Sequence, residues 1–256
     1  MTFKDFWTND NNPKLKEGSS IIAIRQLICW IVVIVAVVLL TIMISKKSQK
    51  AKQTVMYIFA GILLFFEIAS RVVDLFITPN LTLEKVVKIL LPLEICSVVV
   101  WAFIIAIFIK RQFLYEFCAI AGLFATTMFF LFPAVGINRT YMAFTCIYST
   151  VSHMIGFVCA ILMMTFGYCK FEFKKIWHVY LCFAIMFLWG ALFDLLIFPG
   201  SNYMYLVEDP LEAGMAFPYQ ITYGFIIALY ILSFYVITFI RQKIAEKEQL
   251  KNAKIS

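Results

Sequence analysis

The sequence predicts an all-α fold, a polytopic transmembrane helical bundle of about seven spans, with six as the alternative. Three observations predict it. Of 256 residues, 63% are hydrophobic and 14% charged, with a mean hydropathy of +0.90; a soluble domain has about 45–50% and about 25%. Seven stretches are long and apolar enough to cross hydrocarbon, which takes about 20 residues. Lys and Arg gather on alternate connections, the bias that orients helical membrane proteins. This composition excludes an ordinary soluble enzyme, a disordered chain and a nucleic-acid module. Strands of a transmembrane barrel would alternate polar and apolar residues, and these stretches are apolar throughout.

The first span, Ile21–Ile44, follows a polar leader at 1–20 and precedes Ser45-Lys46-Lys47-Ser48. No small-residue cleavage site follows it, so it is predicted to be retained and not removed as a signal peptide. The second span is Val55–Ile77. The third, Val86–Ile109, contains Pro92, which is expected to kink the helix and free a carbonyl. Phe113–Val135, Thr145–Tyr168, His178–Gly200 and Ile221–Ile240 complete the set. The longest connection, Ser201–Gln220, holds the turn formers Pro210, Gly214 and Pro218. Residues 21–240 therefore form one transmembrane domain, and 241–256 a basic tail.

Fourteen of the 22 basic residues fall on one side of a seven-span arrangement: Lys46, Lys47, Lys50, Lys52, Lys110, Arg111, Lys170, Lys174, Lys175, Arg241, Lys243, Lys247, Lys251 and Lys254. The opposite connections hold mainly Lys85 and Arg139, with Glu84, Glu208, Asp209 and Glu212. This bias places the chain in the cell membrane with its N-terminus outside and its C-terminus cytoplasmic. The net charge of +7 is a topology signal and gives no support for nucleic-acid binding. Seven cysteines, an odd number mostly at hydrocarbon depth, argue against a disulfide framework. No internal repeat divides the spans into the matching halves of a secondary transporter.

Ionisable groups inside a span are costly and point to function. They comprise Arg25, Glu67, Arg71, Asp74, Lys88, Glu94, Glu116, His153 and Asp194. Glu67, Arg71 and Asp74 share one helical face and are expected to pair among themselves as a packing stripe. Arg25, Lys88 and Glu116 lie near span ends, where a shallow, interfacial position accounts for them. Glu94, Cys96, His153 and Asp194 lie deeper. Ser149, Ser152, His153 and Gly156 form one small, polar face, whose bland explanation is close helix packing. Glu94 is two positions before Cys96, so an ideal helix points them to different sides. A thiol beside an imidazole makes an activated nucleophile, with a carboxylate such as Glu94 or Asp194 to orient the ring. Spacing alone leaves this a set of residue types.

Other seven-span chemistries fit poorly. A retinal protein needs a Lys in the last span, and Ile221–Ile240 has none. A zinc hydrolase wants three ligands, and only one His lies deep, so no metal and no cofactor are expected. The nucleophile turn of a serine hydrolase does not occur.

Three blocks are more specific. Leu91-Pro92-Leu93-Glu94-Ile95-Cys96, Ser152-His153 and Asn202-Tyr203-Met204-Tyr205-Leu206 occur in this order, with Phe217-Pro218-Tyr219 as a weaker fourth. Over roughly residues 20–240 the chain resembles the YwaF-like bacterial membrane proteins and their eukaryotic relatives, the transmembrane protein 164 family. The Asn-Tyr-Met-Tyr-Leu block carries most of this, since nothing in packing explains it. The resemblance implies six or seven helices and phospholipid acyl transfer, with Cys96 as acyl-accepting nucleophile and His153 as its base. The family commonly has His where this chain has Glu94, which can serve as base or orient His153 but cannot be a cationic partner to a thiolate. Membrane phospholipids are then the partners. Asn202, Tyr203 and Tyr205 are expected at the headgroup end, with Asp194 and Ser152 as further substrate-binding candidates. The alternative is a transporter or solute-binding subunit whose cavity is lined by Glu94, Asp194 and the Glu67–Arg71–Asp74 stripe. A non-catalytic membrane protein is the third.

Overall fold

A computed structural model describes residues 20–78, 80–131, 144–199, 201–204 and 218–253. Within these residues the chain is helical, without strands. The helices are α1 (Ser20–Ile44), α2 (Gln49–Ile77), α3 (Leu83–Leu90), α4 (Ile95–Ile109), α5 (Gln112–Leu131), α6 (Phe144–Thr165), α7 (Ile176–Ala191) and α8 (Tyr219–Ala253). Six are long and apolar enough to cross a membrane, and the bent pair α3–α4 makes up to seven. This is a multi-pass helical membrane protein, as the seven apolar stretches predict. The fourth stretch is helical only to Leu131 within the described residues. The last helix runs on to Ala253, past the apolar stretch that ends at Ile240.

The third span breaks where Pro92 predicts, and its halves meet at 53°. Proline lacks an N–H and pushes the residue before it out of the helical region. Leu91 accordingly adopts φ −86°, ψ 144°. A break inside hydrocarbon must satisfy the carbonyls it frees. Two distant side chains do so. Arg71 Nε donates to the Leu90 carbonyl at 3.1 Å, and Trp189 Nε1 to the Pro92 carbonyl at 2.9 Å.

Helices α5 and α6 form the most extensive pair and occupy the centre. Glycine permits this approach. A Cβ on Gly122 would stand 3.4 Å from Ala160 Cβ of α6 and 2.8 Å from the ring of fully buried Phe103 on α4, and one on Gly156 3.3 Å from the Thr126 methyl. Around the pair, α1 packs on α6, α2 on α4 and α6, α7 on α5, and α8 on α7. The outer face of α1, including Ile31, Val35, Leu39 and Ile42, is exposed, as expected of a lipid-facing surface.

Glu116 corrects a sequence expectation. Its place near a span's start predicts a shallow, interfacial carboxylate, yet the residue is 1% exposed. It accepts from Gln112 Nε2 at 2.7 Å, Phe171 N at 2.9 Å, Lys170 N at 3.1 Å and Tyr235 OH at 2.8 Å. The α6–α7 connection and α8 fold over it, so burial comes from tertiary structure and not from depth along α5. Four donors satisfy the carboxylate, which is how a charge is tolerated inside.

Candidate functional site

The break at Pro92 sets the geometry of the site. Glu94 is the N-cap of α4, and Cys96 and Ser97 lie in its first turn. The objection that residues 94 and 96 diverge on an ideal helix therefore does not apply, because Glu94 stands outside the helix. Both residues line one cavity, of about 50 Å³, between α2, α4, α5 and α6. The opposite wall carries Ser149, Ser152, His153 and Gly156, the small polar face of α6, and Tyr148. Four sequence-predicted candidates, Glu94, Cys96, Ser152 and His153, thus share one enclosure.

His153 is fixed in orientation. Its ring stacks on Phe129, centroids 3.7 Å apart and planes 12° apart. Its Nδ1 lies 2.6 Å from the Ser149 carbonyl oxygen. A carbonyl only accepts, so Nδ1 carries a hydrogen, and in the neutral ring the lone pair is then at Nε2. That nitrogen is buried without a partner among the described residues, and so is the Ser152 hydroxyl. Cys96 and His153 share the cavity without a direct hydrogen bond.

The polar stripe of α2 joins the site. Glu67 pairs with Arg71 at 2.7 Å, as their spacing predicts, whereas Asp74, the third member of the expected stripe, forms no ion pair among the described residues. The pair also reaches α4. Ser97 Oγ donates to Glu67 Oε1 at 2.7 Å and accepts from Arg71 at 3.1 Å. Spacing within α2 offers no signal for this link, since Ser97 lies 30 residues away. It uses up the hydroxyl next to Cys96, whose thiol forms no disulfide. Glu94 is exposed at the edge of the cavity and forms no ion pair among the described residues.

Asp194 and Tyr203 lie elsewhere. Leu192–Ile197 winds into a π-helical turn, a form rare outside special sites. It buries Asp194, whose oxygens accept from Tyr203 N at 2.9 Å and Met204 N at 3.4 Å. Met204 is fully buried against Gly190, where a Cβ would stand 1.9 Å from Met204 Cγ. Packing therefore explains the centre of the Asn-Tyr-Met-Tyr-Leu block, contrary to the sequence expectation. Asn202 and Tyr203 are partly exposed beside this anchor, and Tyr205 lies outside the described residues. Lys88 pairs with Glu84 and sits 4.7 Å over the ring of Phe198. The chain just before the 201–204 segment thus flanks α3, on the same side of the bundle as the break.

No group of three or more His, Cys, Asp or Glu side chains among the described residues is arranged to hold a metal ion. No curated protein and no solved structure matches the chain. A sequence profile of the TMEM164 family, by contrast, matches residues 18–240. With that match covering most of its length, the chain belongs to the TMEM164 family.

Proposed function

We propose that the protein is a phospholipid acyltransferase working through a Cys96 thioester, with His153 as base. One observation carries this reading: Cys96 and His153, whose Nε2 has no partner among the described residues, line the same cavity. His153 Nε2 takes the thiol proton as the sulfur attacks an ester carbonyl. The C–O bond to the glycerol backbone then breaks, and the departing lysolipid oxygen takes the proton back from Nε2. A second lysolipid hydroxyl reverses these steps and leaves with the acyl group. The reacting ester would enter between α4 and α6, while the acyl chains stay in the bilayer. Glu94, at the edge of the enclosure, would orient His153 or the incoming hydroxyl, and Asn202, Tyr203 and Tyr205 would meet the headgroup. The Lys and Arg asymmetry supports a cell-membrane protein with its N-terminus outside and the site opening toward the outer side.

The test is intact-protein mass spectrometry on protein from native-like membrane, wild type beside Cys96→Ala. A hydroxylamine-sensitive fatty-acyl adduct that turns over and needs Cys96 is the expected result. Full transferase activity in Cys96→Ala would end the proposal. An adduct in neither protein, with phospholipid supplied, would favour a solute-binding cavity around Glu94.

A further inference from the structure

We infer that the first turn of α4 and the hydroxyl of Ser152 together form an oxyanion site for the acyl carbonyl. The inference rests on the acyl-transfer reading and assigns a role that Cys96 and His153 do not fill.

The first N–H groups of any helix lack intrahelical partners. In α4 the earliest helical bond runs from Val98 N to the Glu94 carbonyl at 3.0 Å. The N–H groups of Cys96 and Ser97 come before it. The N-cap Glu94 gives no side-chain hydrogen bond to this turn. Nor does Ser97 fold back over it, because its hydroxyl is held between Glu67 and Arg71. Cys96 and Ser97 both line the cavity, so the positive end of the α4 dipole lies at its wall beside the thiol.

Ser152 supplies an independent sign. It projects from a different helix, α6, is 5% exposed, and lines the same cavity. Ser hydroxyls within helices commonly bond the carbonyl one turn back. This one has no partner among the described residues. A buried donor left open across from open backbone donors fits a ligand oxygen carrying negative charge.

Attack by sulfur on an ester produces such an oxygen. As the S–C bond forms, the carbonyl π pair moves onto oxygen. The backbone N–H groups of Cys96 and Ser97 and the Ser152 O–H then donate to it. Collapse restores the carbonyl and expels the lysolipid oxygen, which takes its proton from His153. The same donors would act again when the thioester is attacked. Donors placed in advance, in a dry site, stabilise a transition state strongly.

The experiment uses the full chain in vesicles of equal parts phosphatidylcholine and phosphatidylethanolamine, with fluorescent acyl chains and lysophosphatidylethanolamine as acceptor. Ser152→Ala should lower kcat about 10²–10³-fold, with KM little changed. Alkylation of Cys96 by iodoacetamide forms no oxyanion and should proceed at the wild-type rate, showing an intact fold and thiol. If alkylation shows that Ala disturbs the site, Ser152→Cys keeps the volume and weakens the donor. It should still cost at least about tenfold in kcat. Ser152→Thr, which keeps the hydroxyl, should recover most of the loss. Wild-type kcat in Ser152→Ala and Ser152→Cys, with turnover still dependent on Cys96, overturns the oxyanion role and leaves acyl transfer standing. Turnover that survives Cys96→Ala, or never appears in the wild type, overturns both.

Discussion

The indole N–H of Trp189 donates to the Pro92 carbonyl at 2.9 Å, joining residues 97 apart in sequence. With Arg71 on the Leu90 carbonyl, it makes the broken third span tolerable inside a bilayer. The break in turn sets Glu94 and Cys96 at the cavity. Both contacts should therefore be measurable as stability. Trp189→Phe keeps the ring against Phe193 but strands the carbonyl, and should cost about 1–3 kcal/mol. Arg71→Ala also leaves Glu67 buried without its partner, and should cost about 3–5 kcal/mol. Arg71→Lys should fall between, since one ammonium cannot replace a planar fork reaching Leu90, Ser97 and Glu67. Thermal unfolding in mild detergent checks all three, and wild-type midpoints throughout would show that the break needs neither support.

Glu116 joins α5, the α6–α7 connection and α8. Glu116→Ala should destabilise by at least about 2 kcal/mol, because it leaves several donors open. Tyr235→Phe alone should cost about 1 kcal/mol. In the Glu116→Ala background, the Tyr235 change should cost almost nothing, as residues that interact directly are not additive. Independent, additive losses in a double-mutant cycle would contradict the 2.8 Å bond between them.

Gly190 has a steric role. Gly190→Ala drives a methyl group into Met204 and should destabilise by about 1–3 kcal/mol, the usual cost of overpacking. Shortening the partner in Gly190→Ala/Met204→Ala should relieve the clash and recover part of the loss. Limited proteolysis near residues 201–204 reads this locally. A double variant cleaved faster than Gly190→Ala would indicate that Met204 anchors the segment by more than filling space.

The orientation proposed above is checked by labelling with a membrane-impermeant maleimide. Asn202→Cys should react in intact cells and Lys247→Cys only after permeabilisation. The reverse pattern would invert the topology.

Much of the fold is legible in the sequence, because hydrocarbon demands long apolar stretches and Lys and Arg bias the connections. Pro92 announces its own break, and Glu67 and Arg71 announce their pairing by spacing. The remaining features depend on residues distant in sequence. Glu116 looks shallow until Tyr235, 119 residues on, and two backbone N–H groups close over it. Ser97 looks like a neighbour of Cys96 until α2 claims its hydroxyl. Asp194 looks like a substrate carboxylate, and its oxygens hold the backbone of Tyr203 and Met204. The Glu94–Cys96 conflict existed only on an ideal helix, and the break removes that premise.

The position of Cys96 on the first turn of α4 fixes a depth. Thirteen residues of helix separate it from Ile109, about 20 Å at 1.5 Å per residue. With α4 along the membrane normal and Ile109 at one boundary, a hydrocarbon core of about 30 Å would put the thiol about 10 Å from the other boundary. Lipids anchored at that nearer boundary can dip an ester to it, while those of the opposite monolayer would have to cross most of the membrane. Acyl exchange at Cys96 would then remodel one monolayer only, and each altered lipid would return to the monolayer it came from.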